Sequence, residues 1–449
     1  MKKKFSLSTT QIILLGFLLA IAAGTLLLSL PISTSAGERA DFITALFTAT
    51  TSLCVTGLVV ADTFSFWSTF GHIVILILIQ LGGLGIVSLT TGVMLLIGRR
   101  VTLKDRLLLG DAFNLGTLSG LLRFLKKMFR GTFTIEAIGA LLYSFAFVPE
   151  YGLRGIWISV FTAVSAFCNA GIDIIGPQSL IPYADNPLVV LTTSMLIIFG
   201  GLGFLVWWDI ADTVRKKPPL RQLFRRLKLH SKIVLISTAS LLFGGTAVIL
   251  LLEYSNPETL AAMPFGQKLL SAFFQSVTLR TAGFMTVSQS SLREATSLFS
   301  IILMFIGGSP IGTAGGIKTT TAATLIIAAR SYAKGKRSAT AFKRTLPNET
   351  IIKALTVVLI STAAAFIAVL LLSATQEGSI IDIAYEAVSA LGTVGLTRSL
   401  TPSLDTFGKI VIIICMYLGR VGPISLVIAL SGNRNPTYTV LPEEDVRVG

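Results

Sequence analysis

Charge is scarce in this chain. Only 13% of residues are charged while 53% are hydrophobic, and the mean hydropathy is +0.79. A water-facing surface cannot be built from so little charge, so a chain of 449 residues is not read as a string of soluble domains. Cysteine is nearly missing too. Cys54, Cys168 and Cys415 are too few and too scattered for a disulfide framework or a thiolate metal site. The two histidines, His72 and His230, have no partners in the sequence, and no His/Cys/Asp/Glu constellation or triad-like arrangement occurs. The chain is therefore not expected to be an enzyme, nor to bind a cofactor of its own.

What the sequence has instead is long apolar runs, among them Gln11–Leu30, Ile73–Ile97, Ile233–Leu252 and Thr356–Leu372. A helix needs roughly 20 apolar residues to cross a bilayer, and these runs suffice for a multi-pass membrane protein. Met1, followed by three lysines and an apolar run, resembles a signal peptide. Its apolar part is longer than the ~7–15 residues of a secretory segment, so it is expected to stay as the first helix.

The formal charge of +15 comes from 37 bases against 22 acids, and its distribution decides its meaning. Bases gather at the N-terminus, over Arg99–Arg130, Arg215–Lys232 and Arg330–Lys353, and in the tail. The segments between are acid-leaning, with Glu38, Asp41, Asp62, Asp173, Asp185, Glu258, Glu294, Glu377, Asp382 and Asp405. Alternation of this kind is the positive-inside pattern. It places both termini and the three basic segments in the cytoplasm of a cell-membrane protein, and it removes nucleic acid as a partner.

An internal repeat runs through the acid-leaning segments. Phe47 to Gly57, Phe161 to Gly171, Phe273 to Gly283 and Tyr385 to Gly395 each open on an aromatic ring and close on glycine ten residues later. Small and hydroxylated residues share columns between them. Each segment follows an apolar helix and precedes another bearing a glycine cluster, at Gly82-Gly83-Leu84-Gly85, Gly200-Gly201-Leu202-Gly203, Gly307-Gly308-Ser309-Pro310 and Gly419-Arg420-Val421-Gly422. The expected fold is an all-α membrane protein of four parallel helix–pore helix–helix repeats, with eight transmembrane helices and four re-entrant pore helices around one pseudo-fourfold pore. Repeat units are expected at 1–98, 99–213, 214–330 (with an intramembrane loop over 307–321) and 331–430, leaving 431–449 as a cytoplasmic tail.

Non-helical backbone at membrane depth persists only where protein buries it or water and ions line it. Four such segments converging on an axis would present rings of carbonyls to a dehydrating cation. The candidate filter residues are Leu53, Cys54, Val55, Thr56 and Gly57; Phe167, Cys168, Asn169, Ala170 and Gly171; Leu279, Arg280, Thr281, Ala282 and Gly283; and Leu391, Gly392, Thr393, Val394 and Gly395. Potassium would be held by backbone alone. The pore helices would aim their C-terminal dipole ends at the same cavity.

Thr393-Val394-Gly395-Leu396 resembles the start of the potassium-channel filter, and four covalent copies with one filter glycine each resemble the Trk/Ktr/HKT superfamily of potassium transporters. The stretch from Gly307 to Thr321, containing Gly308, Gly312, Thr313, Gly315, Gly316 and Lys318, is similar to that family's intramembrane loop, and Arg420 matches the arginine of its last helix. The lack of extra N-terminal helices and the short tail resemble the Ktr-type bacterial membrane subunit. The resemblance implies a homodimer, each protomer with its own pore, and a cytosolic ring of Rossmann-type regulatory subunits that carries any nucleotide. It also implies sodium as a candidate coupled or activating ion.

Gly312 to Lys318 nearly matches a phosphate-binding loop, but Ile317 stands where a glycine is required and no strand–helix context surrounds it. Lys318 and Arg420, charges inside apolar segments, are gate candidates by the usual cost of such charges, with snorkelling to the interface as the alternative for each. Asp41 and Asp382 are expected to cap the first and fourth pore helices. An alternating-access, sodium-coupled symporter is the competing function. Its usual inverted repeats and mid-span carboxylates are not read in this sequence.

Overall fold

The computed structural model describes residues 8–96, 102, 107–110 and 120–422, and the fold is all helical apart from a small hairpin pairing Thr340–Ala341 with Arg344–Thr345. Lys2 to Lys4, the bases Arg99, Arg100, Lys104 and Arg106, and the expected tail lie outside the described residues.

Each repeat opens on a leading helix: Thr9–Leu28, Leu121–Tyr151, Leu229–Glu253 and Asn348–Thr375. All four are long and apolar enough to cross a bilayer alone, and each leaves most of its surface outside the protein core. That exposed apolar surface is what a lipid-facing helix presents. Pore helices follow at Phe42–Leu53, Leu153–Cys168, Phe265–Thr278 and Ile380–Gly392, too short to span. The trailing helices start at Thr69, Pro187, Glu294 and Thr406. Three of those starts carry a side-chain cap, with Ser68, Asn186 and Asp405 accepting from the first-turn amides, a bond worth about 1 kcal/mol at each.

The glycine clusters break the trailing helices. In repeats 1 and 2 the helix bends by 102° and 93° and resumes as Ile86–Leu96 and Phe204–Arg215. Gly85, Gly203 and Gly422 terminate their helices at φ +83°, +86° and +87°, a backbone setting that side chains other than glycine's resist. In repeat 3 the break is a long one: Glu294–Phe305 gives way to irregular chain, and Thr319–Ala333 resumes. The loop expected over 307–321 thus ends at Lys318, because Thr319, Thr320 and Thr321 already form the first turn of the next helix.

Two expectations are corrected. Asp41 does cap the first pore helix, accepting from the Thr44 amide, but Asp382 does not cap the fourth. Ser379 takes that place and Asp382 sits in the first turn, where it pairs with Arg398 at 2.6 Å. A mid-span carboxylate also exists: Glu136, near the middle of Leu121–Tyr151, is 5% exposed. One mark of a coupled transporter that was not read in the sequence is thus present in the fold.

Candidate cation pathway

The pore helices end at Leu53, Cys168, Thr278 and Gly392, so the irregular filter backbone is shorter than the five-residue segments read from sequence. Leu53, Phe167, Cys168, Leu391 and Gly392 remain helical, and Leu279 caps its helix. Beyond these ends the four repeats do the same thing. Val55, Asn169, Thr281 and Thr393, each two residues before its glycine, have φ of +49°, +59°, +71° and +52°. The left-handed region costs a non-glycine residue about 1–2 kcal/mol, more for a β-branched one, so the surroundings must impose it. The filter glycines follow at +98°, +65°, +81° and +89°.

The pore helices supply that constraint through hydroxyls. Thr51 and Ser389 accept from the amides of Gly57 and Gly395 at 3.0 and 3.1 Å, and Ser165 accepts from Ile172 at 3.1 Å. Their carbonyls also accept from Thr56, Val394 and Ala170. Repeat 3, with Val277 in that column, departs: Thr278 donates to the Phe284 carbonyl at 2.7 Å instead. These bonds commit the amides of Thr56, Gly57, Ala170, Val394 and Gly395 to the pore helices.

The glycines close a ring. A Cβ built on Gly57 would stand 2.5 Å from the Ala170 carbonyl oxygen, one on Gly171 2.5 Å from that of Ala282, and one on Gly283 2.8 Å from that of Val394. One on Gly395 would strike the Thr56 carbonyl, returning to repeat 1. Each repeat thus lays the carbonyl before its glycine against the glycine of its neighbour, in chain order. Nothing larger than hydrogen fits at these positions. Three residues before the glycines, Cys54 and Cys168 are wholly buried, and Arg280 is 5% exposed, its Nε without a partner among the described residues.

On one side of this ring lies the repeat 3 loop. The helix break of repeat 2 frees backbone groups that the loop takes up: Ser309 and Thr313 donate amides to the Gly201 and Gly200 carbonyls at 2.8 and 3.1 Å, and Phe204 donates to the Ile311 carbonyl at 2.8 Å. These partners from another repeat hold the loop. Thr313 reaches the end of the second pore helix, its hydroxyl donating to the Phe167 carbonyl at 3.0 Å and the Asn169 side-chain oxygen at 2.9 Å. A Cβ on Gly315 would collide with the Thr393 side chain, and one on Gly316 would stand 3.0 Å from the Gly392 carbonyl oxygen. Lys318 turns back into the loop and donates to the Ala314 and Gly315 carbonyls at 2.7 and 3.4 Å, so it does not reach for an interface. Gly307 and Gly308 brace the loop's start, with the Gly307 amide on Ile317 and the Gly308 carbonyl accepting from Thr319.

Arg420 ties this loop to the rest. Its Nη1 donates to the Thr313 carbonyl at 2.5 Å, and its Nη2 donates to the Gly82 and, at 3.3 Å, Gly83 carbonyls of the repeat 1 break. One guanidinium from repeat 4 therefore joins repeats 1 and 3 on the side of the ring where the loop lies. On the opposite side, Arg398 pairs with Asp382 and donates to the Gln289 and Leu292 carbonyls and the Ser297 hydroxyl, fastening repeat 4 to repeat 3. Among the described residues no group of three His, Cys, Asp or Glu side chains is placed to hold a metal ion. The left-handed column, Arg398 and Glu136 were all missed in sequence; the acid in an apolar run was the one legible sign.

Residues 8–435 match the family model TrkH, described as a cation transport protein. The chain is 40% identical to the potassium/sodium uptake protein NtpJ of Enterococcus hirae, covering 100% of this chain and 99% of that protein. It is 39% identical to the Ktr system potassium uptake protein B of Bacillus subtilis over 94% of this chain and 92% of that one. The fold is similar to the crystal structure of the potassium transporter TrkH from Vibrio parahaemolyticus, with a TM-score of 0.74 at 17% identity over 96% of this chain and 86% of the other.

Proposed function

Because the chain belongs to the TrkH family of cation transport proteins, we propose that it takes up potassium through the carbonyl ring at Gly57, Gly171, Gly283 and Gly395. The observation that carries this reading is the ring itself, with four equivalent segments sharing one backbone setting and leaning glycine to carbonyl in cyclic order. A dehydrated cation on that axis would exchange its water shell for fixed carbonyl dipoles. The relatives named for potassium uptake support the choice of ion.

The repeat 3 loop and Arg420 form the gate. They lie against the filter on the side of the basic connecting segments, which the positive-inside pattern assigns to the cytoplasm. A guanidinium there opposes cation passage, and its bonds to Thr313, Gly82 and Gly83 hold the loop in place. A cytosolic, nucleotide-binding Rossmann-type subunit docks on that face and releases the loop, and the membrane subunit works as a homodimer. The repeat units at 1–98, 99–213, 214–330 and 331–430 and the tail at 431–449 follow the same scheme. Sodium-coupled symport is the second reading, favoured by the buried Glu136 and by the relative named for both ions. Four parallel repeats around one axis favour a pore over alternating access.

The test is growth of a potassium-uptake-deficient bacterium on low potassium, with and without a regulatory-subunit gene, for the native chain and for serine at each filter glycine. One misplaced carbonyl contact, about 1.4 kcal/mol, should cut the preference for potassium over sodium about tenfold. Four serine variants with native preference would remove the filter from these residues.

A further inference from the structure

We propose that Glu136 is a positioning residue for ion selection, bracing the back of the second filter segment through Gln80 and Cys168. Both Glu136 oxygens accept from the one Gln80 side-chain nitrogen, at 3.1 and 3.3 Å. The Gln80 oxygen in turn accepts from the Cys168 thiol at 3.6 Å, and that sulfur lies 4.0 Å from Glu136 Oε1. The three residues come from three elements: the trailing helix of repeat 1, the leading helix of repeat 2 and the last turn of the repeat 2 pore helix. Neither ion pair among the described residues includes Glu136. An acidic side chain at membrane depth with only one amide and one thiol as donors is costly and is kept where it serves function.

Its service here is orientation. A primary amide has two ends of similar size and opposite hydrogen-bonding character. The carboxylate fixes the nitrogen end of Gln80 toward repeat 2, which turns the oxygen end to Cys168. Cys168 directly precedes Asn169, the left-handed residue that starts the second filter wall and holds Thr313 of the loop. There is no slack behind it: a Cβ on Gly83 would stand 2.5 Å from the Cys168 sulfur. The same turn of the repeat 1 helix, at Gly82 and Gly83, also accepts from Arg420. The brace is particular to repeat 2. At the same distance before the other filter glycines stand Ala22, Val248 and Ile360, all apolar.

This inference rests on the filter reading above. The experiment measures potassium and sodium flux in proteoliposomes for Glu136→Ala, Glu136→Gln, Gln80→Ala, the double alanine variant and Gly171→Ser. Loss of an outer partner that orients a ligand-bearing segment should lower the potassium preference about tenfold in each single alanine variant. The double variant should be no worse than either, since both act along one path. Glu136→Gln should stay within about twofold of native, because an amide oxygen accepts the same bond. Native preference in both alanine variants, with Gly171→Ser altered, overturns the brace and leaves the filter standing; native preference in all three overturns the filter as well. Impairment of Glu136→Gln equal to that of Glu136→Ala assigns the effect to charge, against the brace. If Glu136→Ala gives no folded protein, Gln80→Ala decides alone: a lowered preference supports the brace and a native one overturns it.

Discussion

Asp173 is the ionisable side chain nearest in sequence to a filter glycine on the side of the acid-leaning loops, two residues beyond Gly171. It accepts from the Ser179 hydroxyl at 2.6 Å and the Ile175 amide at 3.3 Å. Loss of water around it raises its pKa from 3.8 to about 6, against the pull of those hydrogen bonds, and Asp62 adds to the rise. The folded protein therefore keeps a proton that the unfolded chain has already released between those values. This group favours the fold at low pH, and that contribution fades as pH rises through about 6. Its negative charge, present at neutral pH, would concentrate cations at the mouth. Lowering the pH on that face below 6 should reduce uptake roughly twofold to tenfold, and Asp173→Asn should flatten the profile at the reduced level. Flux measured against pH in proteoliposomes checks this; an unchanged profile in the variant assigns the dependence elsewhere.

Among the elements, the repeat 3 loop differs most from the expectation its composition creates. Glycine and proline argue for a floppy stretch, since they stabilise no regular structure of their own. What the loop's own residues cannot reveal is that the glycine break in repeat 2, far away in sequence, leaves Gly200 and Gly201 carbonyls pointing at it. The loop is held by partners it does not encode. Arg420 is the most sensitive of these, because its bonds are charge-assisted and worth about 1.5–3 kcal/mol each. Arg420→Ala, or removal of several loop residues, should raise potassium flux about tenfold or more and weaken the need for a regulatory subunit. Flux that stays low and partner-dependent in both variants would leave the loop a structural filler.

At the scale of the whole molecule, orientation is testable directly. Cysteine labels within 215–232 should react only from the cytoplasm, and labels near Asp62 or Asp185 only from outside, in intact cells; the reverse would overturn the topology. The order of leading, pore and trailing helix in four repeats was legible in the sequence, because hydrophobic runs and a fixed glycine spacing are local, additive signals. The eight unbroken spans were not found, since among the described residues four helices cross alone and the trailing helices of repeats 1 to 3 are split. The four glycines were legible for the same reason: one column in four copies. The left-handed column before them was not, since Val55, Thr281 and Thr393 belong to residue types that avoid that conformation when left to themselves. Glu136 was passed over as one acid within an apolar helix, and Arg398 as one base in a loop; their roles depend on partners 56 and about 100 residues away.

The ring at the glycines is shared, but the walls behind it are not. Cys54, Cys168, Arg280 and Gly392 occupy one column, which thus holds a thiol twice, a guanidinium once and no side chain once. A channel assembled from four identical subunits cannot do this, since each codon is stamped into the assembly four times. Here every position exists once. Each quarter can therefore carry its own side chains, so long as the shared backbone setting at the glycines is kept. An acid stands behind one quarter, an arginine behind the next, and an irregular loop across a single side of the ring. Symmetry in this chain is inherited by the backbone, and individuality is carried by the side chains packed against its back.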